Sequence, residues 1–154
     1  MLNNSHEFWM KLAFKEAEKA YHEGEVPIGA IVVFENQVIG KGRNSTERLQ
    51  DPTAHAEMLA ITAAADHLGS RRLLNTQLYV TLEPCPMCAG AIVLSRIPLL
   101  VYGTSDPKAG ACGTLLNIVQ DKRLNHSVEI QSGVLGNKCS LILSDFFRNL
   151  RETN

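Results

Sequence analysis

From Val26 to Phe34 the chain reads VPIGAIVVF, apolar at alternate positions and at the positions between them. Successive side chains of a strand point to opposite faces of its sheet, so a strand built from this run has no polar side to turn to water. It must lie in a sheet covered on both faces. The sequence offers amphipathic helices as cover. Between Ser5 and Glu23, residues Trp9, Leu12, Ala13, Ala17 and Ala20 recur at helical spacing, with Ser5 as N-cap and Gly24 as stop. Ala54, Met58, Ile61, Ala65 and Leu68 form a second stripe, capped by Thr53 and stopped by Gly69. Cys139, Ile142, Leu143, Phe146, Phe147 and Leu150 make the stripe of a closing helix, with Phe146 and Phe147 as core residues. QVIGKGR follows the first strand after a turn at Glu35 and Asn36, and QLYVTL, LLVYG and the shorter VEIQSG read as further strands. Residues Cys85 to Arg96 read as a short helix. The alternation predicts a three-layer α/β/α domain.

A chain of 154 residues can bury such a core without disulfide staples, and its length predicts one domain over 1–154. A formal charge of -1, from 15 basic and 16 acidic residues, carries no bulk signature of a nucleic-acid or membrane binder. Any such partner has to be met locally. The opening MLNNSHEFWMKLAF interrupts its apolar residues with His6, Glu7 and Lys11, unlike a signal peptide, and no run approaches the roughly 18 apolar residues of a membrane helix. A cytoplasmic location is the expectation. Without a secretion signal, the spacing of Cys85, Cys88, Cys112 and Cys139 points to metal or redox chemistry before disulfides.

Two short motifs carry that chemistry. TAHAEM puts His55 and Glu57 two places apart at the start of the second helix, where they face nearly opposite sides and can meet one ligand only off the helix end. LEPCPMCAGA follows a strand, and Pro86 at the first helical position puts Cys85 at the N-cap and Cys88 one turn on. The positive helix end favours thiolate, the form that binds metal. Two cysteines and a histidine fill three positions of a tetrahedral zinc site and leave a fourth for water, whose pKa zinc lowers to about 7. Glu57, off the metal, is placed to carry the proton. Either motif alone is weak, since a lone Cys-x-x-Cys in an α/β protein is as readily a redox pair. Together they match the pattern H-x-E with P-C-x-x-C of zinc-dependent nucleobase deaminases. The competing reading is a structural zinc site with a fourth protein ligand, for which Cys112, Cys139, His67 and His126 are candidates.

EVPIGA, GRN, DPTAHAE, LYVTLEPCPMCAGAIVLSRI, YGTSDPKAGACGTL, LNHSVEI and SDFFRNLR together resemble the bacterial tRNA-specific adenosine deaminases, within the cytidine and deoxycytidylate deaminase superfamily. The resemblance runs from Phe8 to Arg151. The zinc motifs mark only the superfamily, which includes guanine and cytosine deaminases; the 106–113 and 124–130 segments and the DFF tail point to the tRNA branch. The resemblance implies a cytidine deaminase-like α/β/α fold with a five-stranded mixed sheet, a homodimer, and conversion of adenosine to inosine at the wobble position of an arginine tRNA. It implies one zinc ion per subunit on His55, Cys85 and Cys88, proton transfer by Glu57, and an anticodon stem-loop as partner. Asn44 and Asn125 would contact the flipped nucleotide, or else serve as turn asparagines. Asp106 and Lys108 would contact it from a glycine-containing loop, or form a surface turn. Lys108, Lys122, Arg123, Arg148 and Arg151 are the basic candidates for meeting RNA, and Cys112 puts a thiol in the substrate loop. A guanine or cytosine deaminase, and a catalytically silent zinc module that binds RNA, are the alternatives.

Overall fold

The computed structural model describes residues 4–153. Helix α1 (His6–His22) leads into strands β1 (Gly29–Phe34) and β2 (Gln37–Arg43), a short helix α2 (Thr46–Leu49) and helix α3 (Ala56–Leu68). Strand β3 (Thr76–Leu82), helix α4 (Pro86–Ser95) and strand β4 (Leu99–Thr104) follow. A 3-10 turn at Ile118–Gln120, strand β5 (Glu129–Gln131) and helix α5 (Gly136–Glu152) come last. The sheet runs β2-β1-β3-β4-β5, with β1 antiparallel to both neighbours and β3, β4 and β5 parallel. Among the described residues no helix is long and apolar enough to cross a membrane.

The doubly apolar strand is covered on both sides. Ala30 and Val32 pack with Ala56, Ala60, Ala89 and Ile92 beneath α3 and α4, while Ile31 and Val33 pack with Trp9, Met10 and Ala13 of α1. Burial of each such Val or Ile side chain contributes about 1.5 to 3 kcal/mol. The turn between β1 and β2 takes positive φ at both Glu35 (49°) and Asn36 (63°), the backbone of a tight two-residue hairpin. Ser5 caps α1, its side chain accepting the backbone N–H of Phe8.

Three sequence expectations need correction. Thr53 does not cap α3: its hydroxyl and backbone N–H both donate to Asp51 Oδ1, and His55 holds the cap position instead. The stripe that α3 buries is shifted as well. Ala56, Ala60 and Ala64 are fully buried, while Ile61, Ala65 and Leu68 flank them half-exposed. The cause lies in β2, where Gly40 and Gly42 face the helix. A Cβ on Gly42 would collide with the Ala56 carbonyl, and one on Gly40 with that of Ala60, so helix and sheet approach backbone to backbone. Only small residues fit that seam. Finally, α5 buries only Cys139; Phe147 is 40% and Leu150 47% exposed. The helix packs Cys139 against Gly103 and then leaves the sheet, its later turns held to α1 by bonds from Tyr21 to Asp145 and from Asn149 to Tyr21.

Candidate metal centre and active site

The tight α3 seat fixes where its N-terminus points, and β3 fixes the start of α4. Cys85 is the N-cap of α4, Pro86 follows inside the first turn, and Cys88 lies buried one turn on. Neither cap side chain, His55 or Cys85, makes a capping hydrogen bond, so both keep their donor atoms for the space between the helix ends. His55 Nδ1 is 3.6 Å from Cys85 Sγ and 3.6 Å from Cys88 Sγ. An imidazole nitrogen and a thiolate bound tetrahedrally to zinc, at about 2.0 to 2.1 Å and about 2.3 Å, lie about 3.6 Å apart. The donor set and its spacing therefore fit a zinc ion. Among the described residues this is the one group of three His, Cys, Asp or Glu whose ligand atoms all lie within 4.8 Å of one another. None of Cys112, Cys139, His67 and His126 joins it. His126 is occupied elsewhere, its Nε2 2.8 Å from the Ile97 carbonyl. Three protein ligands with no fourth is the arrangement that leaves a coordination position open.

The electrostatics suit a cation. Hydrogen bonding from Cys88, with further help from His55, brings the Cys85 thiol down to about 4 against the opposing effect of burial. The same bond, with burial and the neighbouring charges, raises Cys88. Both sulfurs lie at the positive end of α4. Glu57, in the first turn of α3, is only 4% exposed; burial lifts its carboxyl to about 7, opposed by its own backbone N–H and by His55. A carboxyl poised near neutrality beside a metal position can both take and return a proton.

The remaining predicted residues divide. Asn44 is buried beside this centre, its backbone N–H bonded to the Ile28 carbonyl while Ser45 N–H reaches the Ala54 carbonyl next to His55. Asp106 and Lys108 line a cleft of about 550 Å³ at the C-terminal ends of β3 and β4, together with Val26, Ile28, Leu82 and Phe147. Asp106 Oδ1 accepts the backbone N–H groups of Lys108 and Ala109, which fixes the tip of its loop. Asn125 is exposed and sits elsewhere: its neighbour His126 bonds Ile97, at the opposite end of β4 from the cleft. Of the five basic candidates, Arg123 pairs with Asp121 and Arg148 with Asp145, and Lys108 alone of the five lines the cleft. Sequence reasoning missed two buried acids, Glu25, which receives backbone N–H groups from α2, and Glu83, which receives them from the loop after β4. Each sits beside a proline-containing turn in an apolar run, and only that misplaced charge could have signalled it.

Residues 4–151 match the model of the MafB19-like deaminase family. The chain is 53% identical over 146 residues to a tRNA-specific adenosine deaminase of Bacillus subtilis, covering 95% of this chain and 91% of the relative. It is 49% identical to one of Haemophilus influenzae, covering 93% and 83%. Among solved structures it resembles a tRNA:A34 deaminase studied for A-to-I editing at the wobble position, with TM-score 0.85 and 43% identity over 88% of this chain and 99% of that one. It also resembles a guanine deaminase from Bacillus subtilis, with TM-score 0.65 and 36% identity over 72% and 71%. The fold is the cytidine deaminase-like one, a five-stranded mixed sheet between helices.

Proposed function

Since the chain belongs to the MafB19-like deaminase family and, within it, to the tRNA-specific adenosine deaminases, we propose that it hydrolyses adenosine to inosine at the wobble position of a tRNA, arginine tRNA foremost. The observation that carries the chemistry is the equal 3.6 Å spacing of His55 Nδ1 from both sulfurs, with the buried Glu57 two residues on and off the cluster. The substrate reading rests on relatives that match this chain along nearly its whole length.

His55, Cys85 and Cys88 would hold zinc, which when bound supplies the Lewis acidity that makes water nucleophilic at neutral pH. Glu57 would take a proton from the water that attacks C6 of adenine and return it to the departing N6 amine. Water and adenosine thus become inosine and ammonia. Burial supports this role, because removal from water pushes the carboxyl up and makes it a better proton acceptor than an exposed glutamate. Asn44 orients the flipped nucleoside from one side. Asp106 and Lys108 meet the RNA from the other, in the cleft floored by Leu82 and walled by Phe147. The exposed Phe147 ring offers a face on which a neighbouring base can stack. A homodimer completes the reading: Leu94, 76% exposed, stands beside Ile61 and Ala65 on an apolar face across α3 and α4 that a second copy would cover. A one-chain mass in analytical ultracentrifugation would remove the dimer.

The test is a substrate panel: an anticodon stem-loop with a wobble adenosine, and separately guanine, cytosine and cytidine. Inosine is expected in the RNA alone. Rapid ammonia release from guanine would move the protein to the guanine deaminases.

A further inference from the structure

We propose that Glu83 is a positioning residue for the RNA, clamping the 106–114 loop to the root of α4 so that Asp106 and Lys108 are held facing the cleft. This rests on the reading that the cleft receives RNA. Glu83 lies just beyond β3, two residues before Cys85, and is only 2% exposed. No lysine or arginine among the described residues pairs with it. A buried carboxylate without a cation is expensive to keep unless hydrogen bonds satisfy it.

Here every donor to that carboxylate comes from one loop. Oε1 accepts the backbone N–H of Asp106 (3.0 Å) and the hydroxyl of Thr114; Oε2 accepts the N–H groups of Cys112 (3.0 Å) and Thr114 (3.1 Å). Gly110 lies so close over the carboxylate that a side chain there would collide with it. Ala111 N–H adds a bond to the Pro84 carbonyl at 2.9 Å. The order then passes outward, since Asp106, anchored through its N–H, uses its own carboxylate to fix the backbone of Lys108. A surface loop with this sequence would ordinarily be mobile, and each bond removes part of the ordering that RNA binding would otherwise have to impose. Because the same residue leads into Cys85, it also sets the register between the groups that grip RNA and the metal centre.

Thr114 allows a clean test, because it belongs to the clamp and not to the metal helix. Thr114→Val, Thr114→Ser and Glu83→Gln are compared with wild type by steady-state kinetics on the anticodon stem-loop, zinc content, and hydrogen exchange of the 105–116 peptide. Thr114→Val should raise KM about tenfold with kcat within about twofold, the size of a lost bond to a charged group. Zinc stays stoichiometric, the peptide exchanges faster, and Thr114→Ser, which keeps the hydroxyl, returns KM to wild type. Glu83→Gln should move KM and exchange further in the same direction. Unchanged KM and exchange in Thr114→Val would overturn the proposal. So would a Glu83→Gln enzyme that loses zinc and kcat at constant KM, for Glu83 would then act on the metal helix. Wild-type protein inert on the stem-loop would instead sink the functional reading, and this inference with it.

Discussion

Gly42→Ala tests how the fold aims the metal centre. An alanine Cβ there would press into the Ala56 carbonyl and the Ala60 N–H, both backbone groups that cannot swing aside as a side chain would. To restore ordinary contact α3 must withdraw by about an ångström, loosening Ala56, Ala60 and Ala64, which are fully buried against the sheet. Overpacking of this kind costs about 1 to 3 kcal/mol, and a clash of backbone with backbone belongs at the upper end. The reduced freedom of the unfolded chain gives back about 0.4 to 1 kcal/mol, leaving a net loss of about 2 kcal/mol. For a chain of this size that lowers Tm by about 4 to 8 °C. His55 immediately precedes Ala56, so the same withdrawal opens its 3.6 Å distances to the two sulfurs and weakens zinc binding. Differential scanning calorimetry and competitive zinc titration measure the two effects. Gly69→Ala is the control: its φ of 63° strains an alanine, but the space around it is open, so it should cost about 1 kcal/mol and leave zinc affinity alone. Wild-type stability and zinc affinity in Gly42→Ala would refute the reasoning.

Tyr79 provides a pH test away from the centre. Burial pushes its hydroxyl from 10 up to about 12, so its contribution is complete below pH 10 and is lost as pH rises towards 12, by about 2 to 3 kcal/mol. Tyr79→Phe should flatten the fall of stability between pH 10 and 12 in denaturant titrations; parallel curves for the two proteins would contradict the assignment. Glu25, 1% exposed, accepts the N–H groups of Glu47 (3.1 Å) and Arg48 (2.7 Å) at the start of α2. Glu25→Gln turns one acceptor into a donor facing a donor, and should cost about 1.5 to 3 kcal/mol in urea unfolding, where a loss below about 0.5 kcal/mol would show that the cap is dispensable.

The sheet was legible in the sequence because β1 is apolar on both faces, and that pattern admits few layer arrangements. The start of α4 was legible because Pro86 and the strand before it leave Cys85 little choice but the cap position. Where α3 begins was harder. Thr53 has the chemistry of a cap, but Asp51 takes its hydroxyl first, a local competition invisible to a rule that scores one residue at a time. The buried face of α3 was missed for a different reason: alanines count as weak hydrophobes, and their burial depends on Gly40 and Gly42 in another element. In α5 the periodicity was real but the sheet ended beneath it, so the apolar stripe faces the cleft and the solvent.

The candidate centre shows the same division. Motif spacing predicted which residues have the right chemistry, and the structure brings His55, Cys85 and Cys88 together across 30 and 33 positions of chain. Glu25 and Glu83 went unseen because a carboxylate buried by backbone N–H groups from another part of the chain leaves no periodic trace. Asn125 lay in a segment that resembles the family, yet the chain folds it away from the cleft.

In the mechanism proposed, Glu57 moves the proton beside a zinc ion it does not bind. Wild type and Glu57→Gln, assayed together for zinc content and for inosine formed at the wobble position of the stem-loop, test it most directly. One zinc per chain is expected in both, with the same fold and a rate lower by about 10² to 10⁴ in the variant. Deamination at the wild-type rate by a zinc-loaded Glu57→Gln protein would contradict it.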